Sequence, residues 1–233
     1  MTDLHTHILP CMDDGSASTD MSLKMLQMEQ EQGVDTVVLT SHFYRHRETA
    51  DSFLERRSAS FASLQQAISE SGLQLPSLLL GAEVAWVPNL TESSQLEELC
   101  IQGTKNMLVE LPFRPWNEQL IRQLYDLMNK HGITPIFAHL ERYFDQPEEY
   151  LREIIAMGTP IQVSCAPLQR FMSRRPIIKM LRNHTAHLLA TDCHNLTTRL
   201  PNMGMGLSVV ERVLGQKEAD ALIDFADSLV QPN

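Results

Sequence analysis

The sequence predicts an α/β fold in which seven parallel strands close into a barrel, and three observations predict it. Short apolar runs alternate with longer amphipathic stretches along the whole chain. Glycine and proline stand where those stretches should stop and start. Histidines and carboxylates recur where the apolar runs end. Alternating strands and helices require right-handed crossovers and a parallel sheet. Seven such strands could form an open doubly wound sheet or a closed barrel. The polar residues at their ends favour the barrel, whose site collects side chains from many strands.

The elements follow in order. Thr2 to His5 is the first apolar run, and Thr19 to Gln32 reads as a helix that follows a Ser/Thr cluster and stops at Gly33. Asp35 to Thr40 is the second run, before a helix from Arg47 to Ser71 that stops at Gly72. Leu78 to Glu83 and Met107 to Leu111 come next, then a helix from Glu118 to His131 with Gly132 behind it. Ile133 to His139 is the fifth run; Pro147 introduces a helix over Glu148 to Met157, ended by Gly158. Ile161 to Ser164 is the sixth, and Pro176, in a first turn, starts a helix reaching Asn183. His187 to Asp192 is the seventh, and helices near Leu207 to Leu214 and Lys217 to Leu229 complete the order. Each run is short and often β-branched, as buried parallel strands are.

Composition narrows the classes. The 233 residues suit one domain spanning 1–233, and 43% hydrophobic with 21% charged residues describes a globular chain with ample core. A net charge of −10 argues against nucleic acid as partner and against a polybasic membrane anchor. It leaves an anionic substrate open, because bound cations reverse the local sign. Met1 to Pro10 lacks the basic-then-apolar pattern of a signal peptide, and no apolar stretch is long enough for membrane insertion. Cys11, Cys100, Cys165 and Cys193 are scattered without a CxxC pair, which predicts reduced thiols and a cytoplasmic protein.

The chemistry lies at the ends of the runs. The first ends in His5 and His7, the second in His42, the third in Glu83, the fourth near Glu110, the fifth in His139, and the seventh in Asp192 and His194. Parallel strands bring their carboxyl ends to one face. Residues at i and i+2 on a strand share a side, so His5 with His7, and Asp192 with His194, can each grip one cation. Imidazole and carboxylate without thiolate suit zinc, manganese or iron(II). An HxH alone is a weak signal; HxH, DxH and further such residues at strand ends between them form a strong constellation. Asp13-Asp14-Gly15 reads first as a turn, and Asp14 also as a further ligand.

These residues resemble the polymerase-and-histidinol-phosphatase (PHP) superfamily, and more closely its capsule-linked tyrosine-protein phosphatases of the CpsB/CapC type. The matching segments are Asp3-Leu4-His5-Thr6-His7-Ile8-Leu9-Pro10, Asp13-Asp14-Gly15, Thr40-Ser41-His42, Gly81-Ala82-Glu83, Leu108-Val109-Glu110-Leu111-Pro112, Ala138-His139-Leu140-Glu141-Arg142-Tyr143 and Ala190-Thr191-Asp192-Cys193-His194-Asn195. The resemblance implies a distorted TIM-like (β/α)7 barrel with three divalent metal ions, manganese first, iron or zinc otherwise. One ion would take His5, His7, Glu83 and Asp192; a second would share Glu83 and add Glu110 and His139; a third would take Asp14, His42 and His194. Arg142 and Arg199 resemble the family's phosphate-binding arginines, whose planar forks suit bidentate contact.

The implied activity is hydrolysis of phosphotyrosine by metal-activated hydroxide. The implied partner is a phosphotyrosine-containing protein, in particular a bacterial tyrosine kinase controlling capsule or exopolysaccharide synthesis. Association with further copies of the chain stays open. The alternatives are a small-molecule phosphomonoesterase of the histidinol-phosphate or nucleotide type, and a non-catalytic phosphate-binding module. Ser41 and Leu140 stand where the family commonly has proline, which bears on loop shape and specificity. Cys193 should point away from the site by strand alternation. His46, His131, His184 and His187 read as structural or exposed. The segment Phe43 to Arg47 reads equally as a plain loop or as an entrance for a phosphorylated aromatic side chain.

Overall fold

The computed structural model describes residues 1–92 and 95–232. Among these, nine strands and seven α-helices alternate: β1 (Thr2–Thr6), α1 (Thr19–Glu31), β2 (Thr36–Leu39), β3 (His42–Phe43), α2 (Ala50–Ser71), β4 (Ser77–Leu80), β5 (Glu83–Ala85), β6 (Asn106–Glu110), α3 (Glu118–His131), β7 (Thr134–Phe137), α4 (Glu148–Ala156), β8 (Gln162–Ser164), α5 (Phe171–Arg182), β9 (Leu188–Ala190), α6 (Met203–Leu214) and α7 (Gln216–Ser228). Every strand pairing within the sheets is parallel, as the alternation requires.

The helices begin and end where local chemistry directs. Ser18, Thr49 and Asn117 accept the N–H of Met21, Ser52 and Leu120, capping α1, α2 and α3. Gly72 and Gly132 take the left-handed conformation just past α2 and α3. Helix α2 starts at Ala50, not at Arg47, because Thr49 is the cap. Helix α5 starts at Phe171, and Pro176 stands inside it, not in its first turn as expected. Helix α6 likewise starts at Met203, four residues ahead of the expected Leu207.

The sheet corrects the expectation of a closed barrel. Among the described residues the ladders form three separate sheets, β1-β2-β4, β3-β5-β6-β7 and β8-β9, and none of them closes. The predicted strand Leu78 to Glu83 is broken in its middle, and the predicted Asp35 to Thr40 is followed, after a like break, by a second short strand. After Leu39, Thr40 and Ser41 leave the ladder, and both their carbonyls accept the single N–H of Glu83. Gly81 and Ala82 make the matching break in the neighbouring strand. There a Cβ at Gly81 would come within 3.1 Å of Val38, which explains the glycine. The first and second sheets therefore hold alternate halves of the same two chain segments. Single parallel bridges, Thr6 with Cys193 and Phe137 with Ile161, are the remaining contacts of ladder type between sheets.

The main core lies between the sheets and helices and includes Met25, Leu26, Phe53, Leu64, Leu124 and Leu127. A smaller cluster joins Leu4, Val38, Leu108, Ile136 and Leu188, one residue from each of five strands, with Ala226 of α7. Both clusters anchor the strands whose carboxyl ends carry the polar residues.

Candidate metal centre

Glu83, at the start of β5, is the hub. Its Oε2 lies 3.2 Å from Nε2 of His5, 3.2 Å from Nε2 of His7 and 2.9 Å from Nδ1 of His42. Its Oε1 lies 3.0 Å from Nε2 of His139, which is 3.7 Å from Glu110. The two histidines of the first strand meet, Nε2 to Nε2, at 3.2 Å. Asp192 Oδ1 is 3.4 Å from His5, 3.5 Å from His7 and 3.6 Å from His194. Asp14 Oδ1 completes the set, 3.5 Å from both His42 and His194. All nine predicted side chains thus converge at one place.

Local backbone geometry helps aim them. His139 and Asp192, each two residues past the end of its strand (β7 and β9), have φ of 33° and 52°, in the left-handed region that costs a non-glycine residue of order 1–3 kcal/mol. Gly15 is required by close approach: a Cβ there would sit 2.2 Å from the carbonyl oxygen of His7. The turn that Asp13-Asp14-Gly15 suggested is present, with Gly15 N–H donating to Asp13 Oδ1.

Several of these atoms have no hydrogen-bond partner. Glu83 Oε2, His42 Nδ1, His139 Nδ1 and His194 Nε2 are buried and unpartnered. The 2.9 Å approach of His42 to Glu83 is close but lacks hydrogen-bond geometry. Buried polar atoms are normally satisfied, so the unpartnered atoms of Glu83, His42 and His194, each close to another of these side chains, mark a place for cations. Among the described residues four groupings have ligand atoms close enough to share an ion: His7, Asp14, His42 and His194; His5, His7 and Glu83; His42, Glu83 and Glu110; and, apart from the nine, Asp3, Glu29 and Cys193. Imidazole and carboxylate are the donor set of a borderline divalent metal, so the residues fit one.

The electrostatics agree. Burial disfavours charge on His7, yet Asp13 and Glu83 override it and push the ring up to about 10. Burial acts likewise on His5, and the charges of Glu83 and Asp192 raise it nonetheless. Burial and the charge of Glu83 lift Glu110 to about 7. His194 is pushed down to about 3 by burial and by the charges of His7 and Arg199. Both predicted arginines are here: Arg142 Nη2 lies 2.5 Å from Asp192 Oδ2, and Arg199 Nη2 lies 2.6 Å from Oδ1. Carboxylates this concentrated draw positive charge from every side.

Three residues were not singled out from the sequence. Asp13 had been given only a turn; its Oδ2 accepts from the backbone of His42 at 2.8 Å and lies 2.7 Å from His7 Nδ1. Gln162 Oε1 accepts the N–H of His139 at 2.7 Å. Glu29 is buried behind the site beside Thr191 and Cys193. No spacing rule reaches them; only Asp13, next to Asp14, carried a local hint. In the 43–47 segment, Phe43 is core, whereas Tyr44 stacks on His42 with centroids 5.0 Å apart and carries Arg47 over its outer face. Tyr44 and Arg47 line a cavity of about 430 Å³ together with Asp14 and His42. Cys193 points away from the site, its Sγ 3.7 Å from Glu29. His187 opens the last strand segment and accepts the N–H of Ile161, a structural part.

Known proteins share this arrangement of elements. The family model for capsular polysaccharide synthesis, CpsB/CapC, matches residues 1–230. Tyrosine-protein phosphatase CpsB of Streptococcus pneumoniae is 28% identical over 250 residues, covering 98% of this chain and 96% of that protein. Tyrosine-protein phosphatase YwqE of Bacillus subtilis is 26% identical, covering 99% of this chain and 92% of that one. A crystal structure from work on YwqE and CpsB, described as unique metal-dependent tyrosine phosphatases, superposes with a TM-score of 0.85 at 23% identity, covering 99% of this chain and 94% of that one. With its motifs in order and its full span matched, the chain belongs to the CpsB/CapC family of capsular polysaccharide synthesis.

Proposed function

We propose that this chain is a metal-dependent protein-tyrosine phosphatase acting on a bacterial tyrosine kinase of capsule or exopolysaccharide synthesis. One observation carries the reading: nine histidine and carboxylate side chains, from several strands and the loop after β1, converge with buried atoms of Glu83, His42 and His194 left unpartnered. The names of the S. pneumoniae and B. subtilis relatives support the reaction class, and the family supports the setting.

His5, His7, Asp14, His42, Glu83, Glu110, His139, Asp192 and His194 would hold three divalent cations, manganese by preference and iron or zinc otherwise. Bound there, such cations supply Lewis acidity toward a phosphoryl group and water of lowered pKa. Arg142 and Arg199 offer two planar forks beside Asp192, the geometry for gripping a phosphoryl group. Tyr44 and Arg47, one over the other at the mouth, line the cavity that the side chain of a phosphotyrosine would enter. The match over 1–230 supports a single domain. Four unpaired cysteines support a cytoplasmic setting, and no described helix is long and apolar enough to cross a membrane.

The test is turnover of phosphotyrosine peptides, histidinol phosphate and an aryl phosphate, with and without manganese, by the native chain and by His5→Ala and Asp192→Ala. Metal-dependent turnover, greatest on peptides and lost in both variants, is the expected result. Full metal loading with no turnover of any ester would overturn the reading in favour of a binding module.

A further inference from the structure

The large apolar side chains that stand out most from the surface are not scattered. Among the described residues, Met172 is 72% exposed, Phe113 and Phe171 60%, and Phe144 47%; no other large apolar side chain exceeds 40%. All four lie in the segments that follow β6, β7 and β8, at the carboxyl ends of parallel strands. Glu110 and His139 stand at that same end, so the four lie at the end of the sheets that carries the candidate metal centre. Phe113 is joined to it through Tyr143, on which it stacks at 5.2 Å between centroids and whose ring lies tilted against His139 at 5.9 Å.

Each segment pairs its aromatic residue with arginine. Arg114 follows Phe113, Arg142 precedes Tyr143 and Phe144, and Arg170 precedes Phe171. Arg174 and Arg175 then lie over the Phe171 ring, at 5.0 and 5.6 Å from its centroid. In a chain of net charge −10, no acidic residue occurs between Glu153 and Asp192. Among the described residues, neither Arg170, Arg174 nor Arg175 takes part in an ion pair. Helix stability does not account for them, because the first turn of a helix favours anions, and α5 has none there. Asp145 is the one exposed acid in the segments 111–117, 138–147 and 165–170.

A phosphotyrosine entering the site would bring its neighbouring residues onto the surface at this end of the strands, where the exposed apolar and arginine side chains stand. We propose that this is the docking surface for the segment flanking the phosphotyrosine, and that this segment is acidic and carries an apolar side chain. The proposal rests on the phosphatase reading above and adds which substrates that site selects. Arginine supplies charge-assisted contacts to carboxylates, and the exposed Phe171 and Met172 supply apolar area beside them.

The experiment compares kcat/KM for three esters on the manganese-loaded full chain. Two are phosphotyrosine peptides of equal length, one flanked by Glu and Leu, the other by Lys and Ser. The third is p-nitrophenyl phosphate, which has no flanks. The acidic peptide should exceed the basic one by about tenfold, a difference of about 1.4 kcal/mol. The triple variant R170E/R174E/R175E should abolish or reverse that ratio, and raised salt should shrink it. The variant F171S/M172S should lower kcat/KM for the acidic peptide relative to p-nitrophenyl phosphate; its substitutions are at exposed positions and spare the core. Turnover of p-nitrophenyl phosphate with no difference between peptides would overturn the docking surface and leave the phosphatase reading standing. Absence of turnover of all three would overturn both. Co-sedimentation with phosphatidylglycerol vesicles, lost in the triple variant, together with equal peptide rates, would overturn the peptide assignment and give the patch to an anionic lipid surface.

Discussion

Asp13 Oδ2 lies 2.7 Å from Nδ1 of His7, on the side of the ring opposite the Nε2 that faces Glu83. The same oxygen accepts the backbone N–H of His42. One carboxylate, buried with its own acidity strengthened because His7 and these N–H groups outweigh its desolvation, therefore fixes two elements of the site at once. A carboxylate on the far nitrogen of a metal-binding imidazole sets its tautomer and raises its basicity.

Asp13→Asn should accordingly weaken metal binding by about 10–100-fold while leaving the fold intact. Competition against a chelating dye reads the affinity, and circular dichroism checks the fold. Unchanged affinity would remove Asp13 from the orienting role.

Metal removal should destabilise the chain, because the charge of Glu83 acts against those of Glu110 and Asp192 where little solvent reaches. A site saturated at about 100 times its dissociation constant adds about 2.7 kcal/mol. Thermal unfolding with excess manganese against unfolding after chelation should show Tm several degrees lower without metal. Superimposable curves would count against a high-affinity site.

Glu29 gives a pH dependence whose sign can be worked out. Burial, then the nearby charge of Asp3, raise its carboxyl well above the ordinary 4.5. The folded chain thus holds this proton more tightly than the unfolded one. Its contribution to stability is complete below the unfolded value and is lost as pH rises through the folded value. Glu29→Gln, neutral at every pH, should match the native chain in urea midpoint near pH 5 and surpass it at pH 8. Parallel pH curves for the two proteins would refute the assignment.

The four cysteines should differ sharply in reactivity. Cys11 is exposed, whereas burial pushes Cys100 up to about 12 and raises Cys165 and Cys193 well above the ordinary thiol value. Since the thiolate is the nucleophile, iodoacetamide at pH 8 should label Cys11 and spare the other three until the chain unfolds. Mass spectrometry of digests reads this directly. Rapid labelling of Cys193 would reopen the question of a thiol in the chemistry.

What the sequence by itself determined was whatever depends on near neighbours along the chain. The alternation of apolar runs and helices foretold parallel pairing, and Gly72 and Gly132 ended helices because they tolerate the left-handed conformation. His5 with His7, and Asp192 with His194, were legible as pairs, and repetition at successive strand ends made their convergence legible too. Pro176 misled, since its first-turn preference is weak against the pull of the apolar face formed by Ile177, Ile178 and Leu181. The tertiary structure alone decided where strands break and what stands behind each side chain. Whether Thr40 stays in a ladder depends on the position of Thr6 and Glu83, residues 34 and 43 places away. Asp13 under His7, Gln162 behind His139 and Glu29 beside Thr191 are contacts across the fold, and sequence spacing carries no information about them. Periodicity reports which face a residue takes; only packing reports what it meets there.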